Sequence, residues 1–179
     1  MDRWIKLCNQ SNYHWNPNED ENDVFISQNL PVTWMKELDK IYPLQTTVST
    51  EHLKDPEYYV KGGIQLYKEL NITNIEGFPN LNLIGKLLGF EKGYVTNVQT
   101  QLTGMAVPIH IDSSDRKLKR VIVMLQDWYW GQILQFGNKI IHNWKAGDVL
   151  QFPVNDIPHS TANLSPYSRT ILKITSRPY

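Results

Sequence analysis

Four residues in the second half of the chain carry side chains that together suit metal and anion chemistry: His110, Asp112, His159 and Arg169. The first two stand in the tripeptide HID, the third within PHS, and the fourth opens the hydrophobic run of SRTILKIT. On a strand, side chains two residues apart point to the same face, so His110 and Asp112 offer an imidazole and a carboxylate to one ion. His159 then adds a third ligand from another strand. Two His and one carboxylate on one side of a metal, with the opposite side open, suit non-haem Fe(II) and oxygen chemistry. Arg169 shares its strand face with Ile171, Lys173 and Thr175. If that face is interior, the guanidinium requires an anion, and Lys173 must pair with an acid or leave the site.

The elements that position these residues change character along the chain. Residues 1 to 93 carry helical signals: Pro31 to Leu38 has helix-forming spacing, and Pro56 to Leu70 opens with Asp55 as a possible N-cap and Pro in the first turn. Asn80 to Leu88 is a third, short helix, while Asn9 to Asp23 reads as a loop. From Tyr94 onward the pattern is β-branched segments separated by turn residues. Strands are expected at Tyr94 to Leu102, Ile109 to Asp112, Lys119 to Gln126, Gly131 to Phe136, Lys139 to Asn143, Asp148 to Phe152, His159 to Asn163 and Arg169 to Ser176. Turn residues fall between them at Gly104, Ser113 to Asp115, Gly137-Asn138, Ala146-Gly147 and Ser165-Pro166. Such a run of short strands after a helical half predicts a mainly β single domain over residues 1 to 179: a jelly-roll, double-stranded β-helix barrel whose N-terminal helices support it from outside.

The segment from Val95 to Thr175 resembles the Fe(II)- and 2-oxoglutarate-dependent oxygenases, and within them the prolyl-hydroxylase-like group. The resemblance rests on HxD at His110 and Asp112, the distal His159, and an Arg ten positions after it. Thr103-Gly104 before HxD, DWYWG at 127 to 131, WKAGDVLQF at 144 to 152 and HSTAN at 159 to 163 agree with it. HxD alone is weak; the ordered set is specific. The resemblance implies iron held by His110, Asp112 and His159, with 2-oxoglutarate and O2 as cosubstrates. Arg169 would fork onto the far carboxylate of 2-oxoglutarate, and Thr161, Leu134 and Phe136 would line the pocket. Thr100 stands where relatives place a cosubstrate-binding Tyr, and Val123 falls near a second such position. The implied reaction is oxidative decarboxylation of 2-oxoglutarate to succinate and carbon dioxide, coupled to hydroxylation of a substrate. A carboxylate at 112, rather than a small residue that would admit chloride, favours hydroxylation over halogenation. The same likeness points to an amino acid, free or within a peptide or protein, as the substrate.

Plainer readings stand beside these. Asp112 also fits a cap of the Ser113-Ser114 turn, Asp148 reads as a turn former, and His14, His52 and His142 as ordinary histidines. Trp128 and Trp130 either shelter the site at the barrel mouth or close a barrel end against the helices. A cupin-like module that binds metal or a small molecule without turnover is one alternative function. Metal-dependent isomerisation and dioxygenation of another small metabolite are others.

Composition bounds the rest. With 41% hydrophobic and 11% aromatic residues, 179 residues suffice for a proper core. Eighteen basic and eighteen acidic residues cancel, which argues against nucleic acid, a membrane surface or a polyanionic substrate. The single Cys8 forms no internal disulfide, no apolar run reaches the roughly twenty residues of a membrane span, and a cytoplasmic setting is expected.

Overall fold

The computed structural model describes residues 25–28, 30–49, 65–90, 93–110, 119–151 and 157–176. Its elements, in chain order, are β1 (Phe25–Gln28), α1 (Met35–Ile41) followed by a 3-10 turn (Tyr42–Leu44), β2 (Thr46–Ser49), β3 (Gln65–Asn71) and α2 (Pro79–Leu87). There follow β4 (Tyr94–Gln101), β5 (Ala106–His110), β6 (Lys119–Met124), β7 (Gln132–Phe136), β8 (Lys139–Ile141), β9 (Asp148–Gln151), β10 (His159–Asn163) and β11 (Arg169–Ser176). Among the described residues no helix is long and apolar enough to cross a membrane.

The strands form two antiparallel sheets, a larger one in the order β1-β9-β6-β11-β4-β3-β2 and a smaller one in the order β5-β10-β7-β8. This is the double-stranded β-helix expected from the strand pattern. The two-residue alternation of the large sheet divides its side chains between two cores. Val98, Val121, Val123, Val149, Leu172 and Ile174 pack with Trp34, Leu38, Ile41, Leu81 and Ile84, so this face lies against the helical segments. Ile122, Met124, Leu150 and Ile171 pack instead with Leu134, Phe136 and Ile141 of the small sheet. The barrel interior thus receives the odd-numbered residues of β11 and the even-numbered ones of β6.

The N-terminal half departs from its sequence reading. Residues 65–70, expected to continue a helix from Pro56, form β3, and residues 56–64 lie outside the described set, as does the proposed loop from Asn9 to Asp23. The segment QLYKELN carries good helix formers, yet its apolar residues also fit a period of two. Pairing with β4, from Lys68↔Thr100 to Asn71↔Asn97, decides between them. Strands β1 and β2 were likewise not anticipated; β1 completes one edge of the large sheet against β9 and β2 the other against β3. The described part of residues 1 to 93 therefore contributes three strands to the barrel as well as two short helices.

Helix α2 begins where Glu37 of α1 ends its reach. The buried Glu37 carboxylate accepts hydrogen bonds from Asn80 N (2.9 Å), Asn80 Nδ2 (2.6 Å) and Leu81 N (3.0 Å). These amides belong to the first turn of α2, whose helix dipole favours a negative charge there. Glu37→Ala is expected to destabilise the fold by about 2–3 kcal/mol, through loss of charge-assisted bonds and exposure of unpaired amides. Chemical denaturation of the two proteins measures it, with an unchanged midpoint counting against the role.

Candidate functional site

His110 ends β5 and His159 opens β10, and the two are direct cross-strand partners. Their ring centroids lie 4.3 Å apart. Each ring is held by a backbone carbonyl two residues before it: His110 Nδ1 lies 2.8 Å from Pro108 O, and His159 Nδ1 lies 3.0 Å from Ile157 O. A carbonyl only accepts, so Nδ1 carries the proton in both rings and Nε2 keeps the lone pair. A hydrogen-bonded second nitrogen is the usual means by which a protein orients a metal-binding imidazole. Phe136 stacks on His159 at a centroid distance of 5.3 Å, further restricting the ring.

Burial lowers the pKa of both histidines. For His110 the carbonyl of Pro108 opposes that effect, and the charges of Lys173 and Arg120 reinforce it. For His159, which is lowered furthest, His110 adds to the burial. Neutral imidazoles are what a metal requires. Iron(II) affinity is therefore expected to hold as pH falls through the ordinary His value near 6.5 and to weaken only below it. Anaerobic titrations across that range measure this, and a tenfold loss centred on the ordinary value would contradict it.

Among the described residues no third His, Cys, Asp or Glu completes a metal cluster with this pair. Asp112, two positions beyond the end of β5, lies outside the described residues, as do His14 and His52. His142 is exposed and sits beside Trp128, away from the pair. Asp148 is the turn former it was read as, its Oδ2 accepting from Lys145 N at 2.8 Å.

The two histidines open into a cavity of about 80 Å³ between the sheets, several times the space one water needs. Its walls include Leu134, Phe136, Thr161, Arg169, Ile171 and Lys173, joined by Tyr67, Gln99, Gln101 and Arg120. Arg169 is 4% exposed, and burial lowers its pKa to about 9. Its Nη1 donates to Ile133 O at 3.1 Å, while its buried Nε has no hydrogen-bond partner. A desolvated guanidinium with an unused donor calls for an anion that accepts from two nitrogens at once. Thr161 Oγ1 lies 3.0 Å from both Gln101 Oε1 and Ile133 O, so it shares an acceptor with Arg169.

The loop between β10 and β11 sets where Arg169 begins. Asn163, fully buried, donates through Nδ2 to Gln101 O and Tyr167 O, both at 2.8 Å, and accepts from Ser165 N and Oγ. Gly131 packs on this loop at φ +89°, and a Cβ there would meet Ser165 N at 2.9 Å. Only glycine fits both the backbone angle and the approach.

Two expectations are corrected here. Thr100 lies on the other face of β4: its Oγ1 is 3.2 Å from that of Thr170, on the helix side, and Gln99 and Gln101 face the cavity in its stead. The parity of β4 decides this, since Arg169 pairs with Gln101 and Thr170 with Thr100. Val123 is turned to the helix side in the same way. A tyrosine does enter the cavity, but from β3: Tyr67, hydrogen-bonded to Gln99 and pushed up to about 12 first by burial and then by the charge of Glu69. Its segment reads as helix in the sequence, which hides it.

The second correction concerns Trp128 and Trp130. Their loop precedes Gln132, which pairs with Asn163 at the end of the small sheet remote from the His159↔Phe136 pair. Trp128 is half-buried against the interior core, its Nε1 donating to Gln132 O at 2.9 Å, whereas Trp130 is 78% exposed. Neither stands at the metal end. The residue that seals the helices onto the sheet is Trp34, whose Nε1 donates to Leu125 O at 3.1 Å.

Neither a scan against protein-family models nor a search of curated proteins found a match for the sequence. Solved structures do match. A prolyl-4-hydroxylase from Pseudomonas putida superposes over 98% of this chain and 99% of its own, with a TM-score of 0.62 at 14% identity. A prolyl hydroxylase from Trichoplax adhaerens, solved in complex with a hypoxia inducible factor oxygen degradation domain peptide fragment, covers 99% of this chain and 93% of its own. Its TM-score is 0.63 at 16% identity. At these identities the likeness is one of fold, and it extends over nearly the whole chain.

Proposed function

We propose that this chain is an Fe(II)- and 2-oxoglutarate-dependent oxygenase that hydroxylates an amino acid, free or within a peptide or protein. The observation that carries the reading is Arg169: a buried guanidinium with an unused Nε donor, in the same cavity as two imidazoles whose Nδ1 atoms are already committed to carbonyls. In this reading His110, Asp112 and His159 hold the metal, and Arg169 binds the far carboxylate of 2-oxoglutarate. Iron bound there would activate O2, with 2-oxoglutarate converted to succinate and carbon dioxide and one oxygen atom passed to the substrate.

The chain's own contributions follow from the geometry. The Nδ1 hydrogen bonds fix the tautomer and aim of both imidazoles. Ile133 O holds the guanidinium through Nη1 before the anion arrives, which lowers the ordering cost of binding. Leu134, Phe136, Ile122 and Ile171 supply the apolar part of the cavity wall, so each charged contact beside them is less screened by water. A peptide substrate is supported by the peptide-bound relative of the same fold.

The test is optical. Anaerobic addition of Fe(II) and 2-oxoglutarate should give the weak visible charge-transfer band of a chelated oxo acid. A protein that stays colourless while binding the metal would overturn the proposal in favour of a cupin-like binding module, a role in which a buried Arg169 has no evident use.

A further inference from the structure

The cavity carries a second cationic station that the reading above leaves unused. Lys173 lies four residues beyond Arg169 on β11 and lines the same space, with Ile171 between them. Four strand residues span roughly 13 Å of backbone. A five-carbon diacid spans only about 5 Å between its carboxyl carbons, given four bonds near 1.5 Å. The stretch of strand between them is therefore longer than 2-oxoglutarate, and the two cations enter the cavity from separate points of β11.

Lys173 is also placed differently. It lines the cavity together with His110 and His159, and its charge bears on both rings. Burial is the first cause that lowers its pKa, to about 8, and the charge of Arg120 is the second. Among the described residues its Nζ has no hydrogen-bond or ion-pair partner. Glu69, whose charge it feels, is not part of the cavity wall and accepts from Gln99 Nε2 at 3.4 Å. No Asp or Glu lines the cavity among the described residues, whereas Arg120 and the Tyr67 hydroxyl share this wall with Lys173. Arg120 is steadied by its Nε bond to Thr175 Oγ1 at 3.0 Å. An ammonium, a guanidinium and a phenol on one wall make a donor set for a carboxylate, and it lies beside the metal ligands rather than at the far end of the barrel.

We propose that Lys173, with Arg120 and Tyr67, is a substrate subsite that receives a carboxylate, so that the substrate is an acidic amino acid or an Asp or Glu residue presented by a peptide. This rests on the oxygenase reading for its chemistry but not for its binding. Reaction at a carbon near the carboxylate would follow, since the subsite and the metal ligands share one end of the cavity.

The experiment uses the full chain with Fe(II) and saturating 2-oxoglutarate under anaerobic conditions. Calorimetric titrations compare L-glutamate with L-glutamine and L-aspartate with L-asparagine. Each is also tested in N-acetylated, C-amidated form, which separates a side-chain carboxylate from an α-carboxylate. The acid of a pair should bind at least tenfold more tightly than its amide. Lys173→Met, whose retained melting transition reports folding, should abolish that preference, and Lys173→Glu should invert it toward the corresponding Lys compound. In air, the binding acid should raise succinate formation and gain one oxygen by mass. Equal binding of acid and amide, no binding of any acidic probe, or an acid preference that survives in Lys173→Met would overturn the subsite. A missing charge-transfer band together with an intact, Lys173-dependent acid preference would instead overturn the oxygenase reading and leave the subsite standing.

Discussion

Arg169→Met is expected to raise the 2-oxoglutarate concentration for half-maximal succinate formation by at least tenfold. Methionine keeps much of the length and the apolar stem, so the packing beside Ile133 and Leu134 is largely preserved. What is lost is a desolvated charge pair, and removing one partner of such a pair costs about 2–5 kcal/mol because the other charge is left buried alone. Each 1.4 kcal/mol is a factor of about ten in affinity, which sets the lower bound. In the absence of cosubstrate the sign reverses. The parent carries a buried cation with an unused donor, so Arg169→Met is expected to be no less stable than the parent, and the two effects together separate a binding role from a structural one. Half-saturation measured on succinate release, beside thermal melting of both proteins without 2-oxoglutarate, checks this; an unchanged half-saturation would remove Arg169 from the cosubstrate site.

The strands of the second half were legible in the sequence because their alternation and turn residues agree. Arg169 to Ser176 and His159 to Asn163 are found at the positions expected. The parity argument for β11 was sufficient to send Arg169, Ile171 and Lys173 into one cavity, since a period of two leaves no freedom once a single face is assigned. Thr100 failed under the same rule. It was placed by analogy with a tyrosine in relatives, whereas its cross-strand partner Thr170 lies on the face opposite Arg169. Tyr67 was missed because QLYKELN fits a helical period as well as a strand, and only the edge offered by β4 distinguishes them. No local signal in residues 65 to 71 contains that information.

Charge shows the same limit more sharply. A chain with equal numbers of acidic and basic residues gives no reason to expect an anion-seeking interior. Yet Arg120, Arg169 and Lys173 converge on a cavity without an acid among its described lining residues. Arg120 and Lys173 come from neighbouring strands, β6 and β11, so their proximity is a product of sheet order rather than of spacing in the chain. Overall neutrality still argues against a long polyanion, whose recognition needs an extended charged surface. It places no bound on a small acid that enters the barrel.

Asp112→Ala is expected to cost the site at least a hundredfold in Fe(II) affinity. The two imidazoles are neutral, their pKa values lowered by burial, so in the proposed ligand set Asp112 is the sole source of negative charge from the protein. Loss of partners that merely orient a metal ligand costs about 10–100-fold, and an anionic ligand to a divalent ion should exceed that range. The competing role, a cap for the Ser113-Ser114 turn, makes a different forecast: a loss of about 0.5–2 kcal/mol in stability of the metal-free protein, with iron affinity little changed. Asp112→Asn sharpens the contrast, because Asn caps a turn nearly as well as Asp yet carries no charge. Metal-free melting and anaerobic iron titration of the parent and both variants separate the two. If Asn and Ala both lose iron while metal-free stability holds, Asp112 is a ligand; if Asn binds iron like the parent and Ala is destabilised, it is a turn residue, and His110 and His159 require a different third partner.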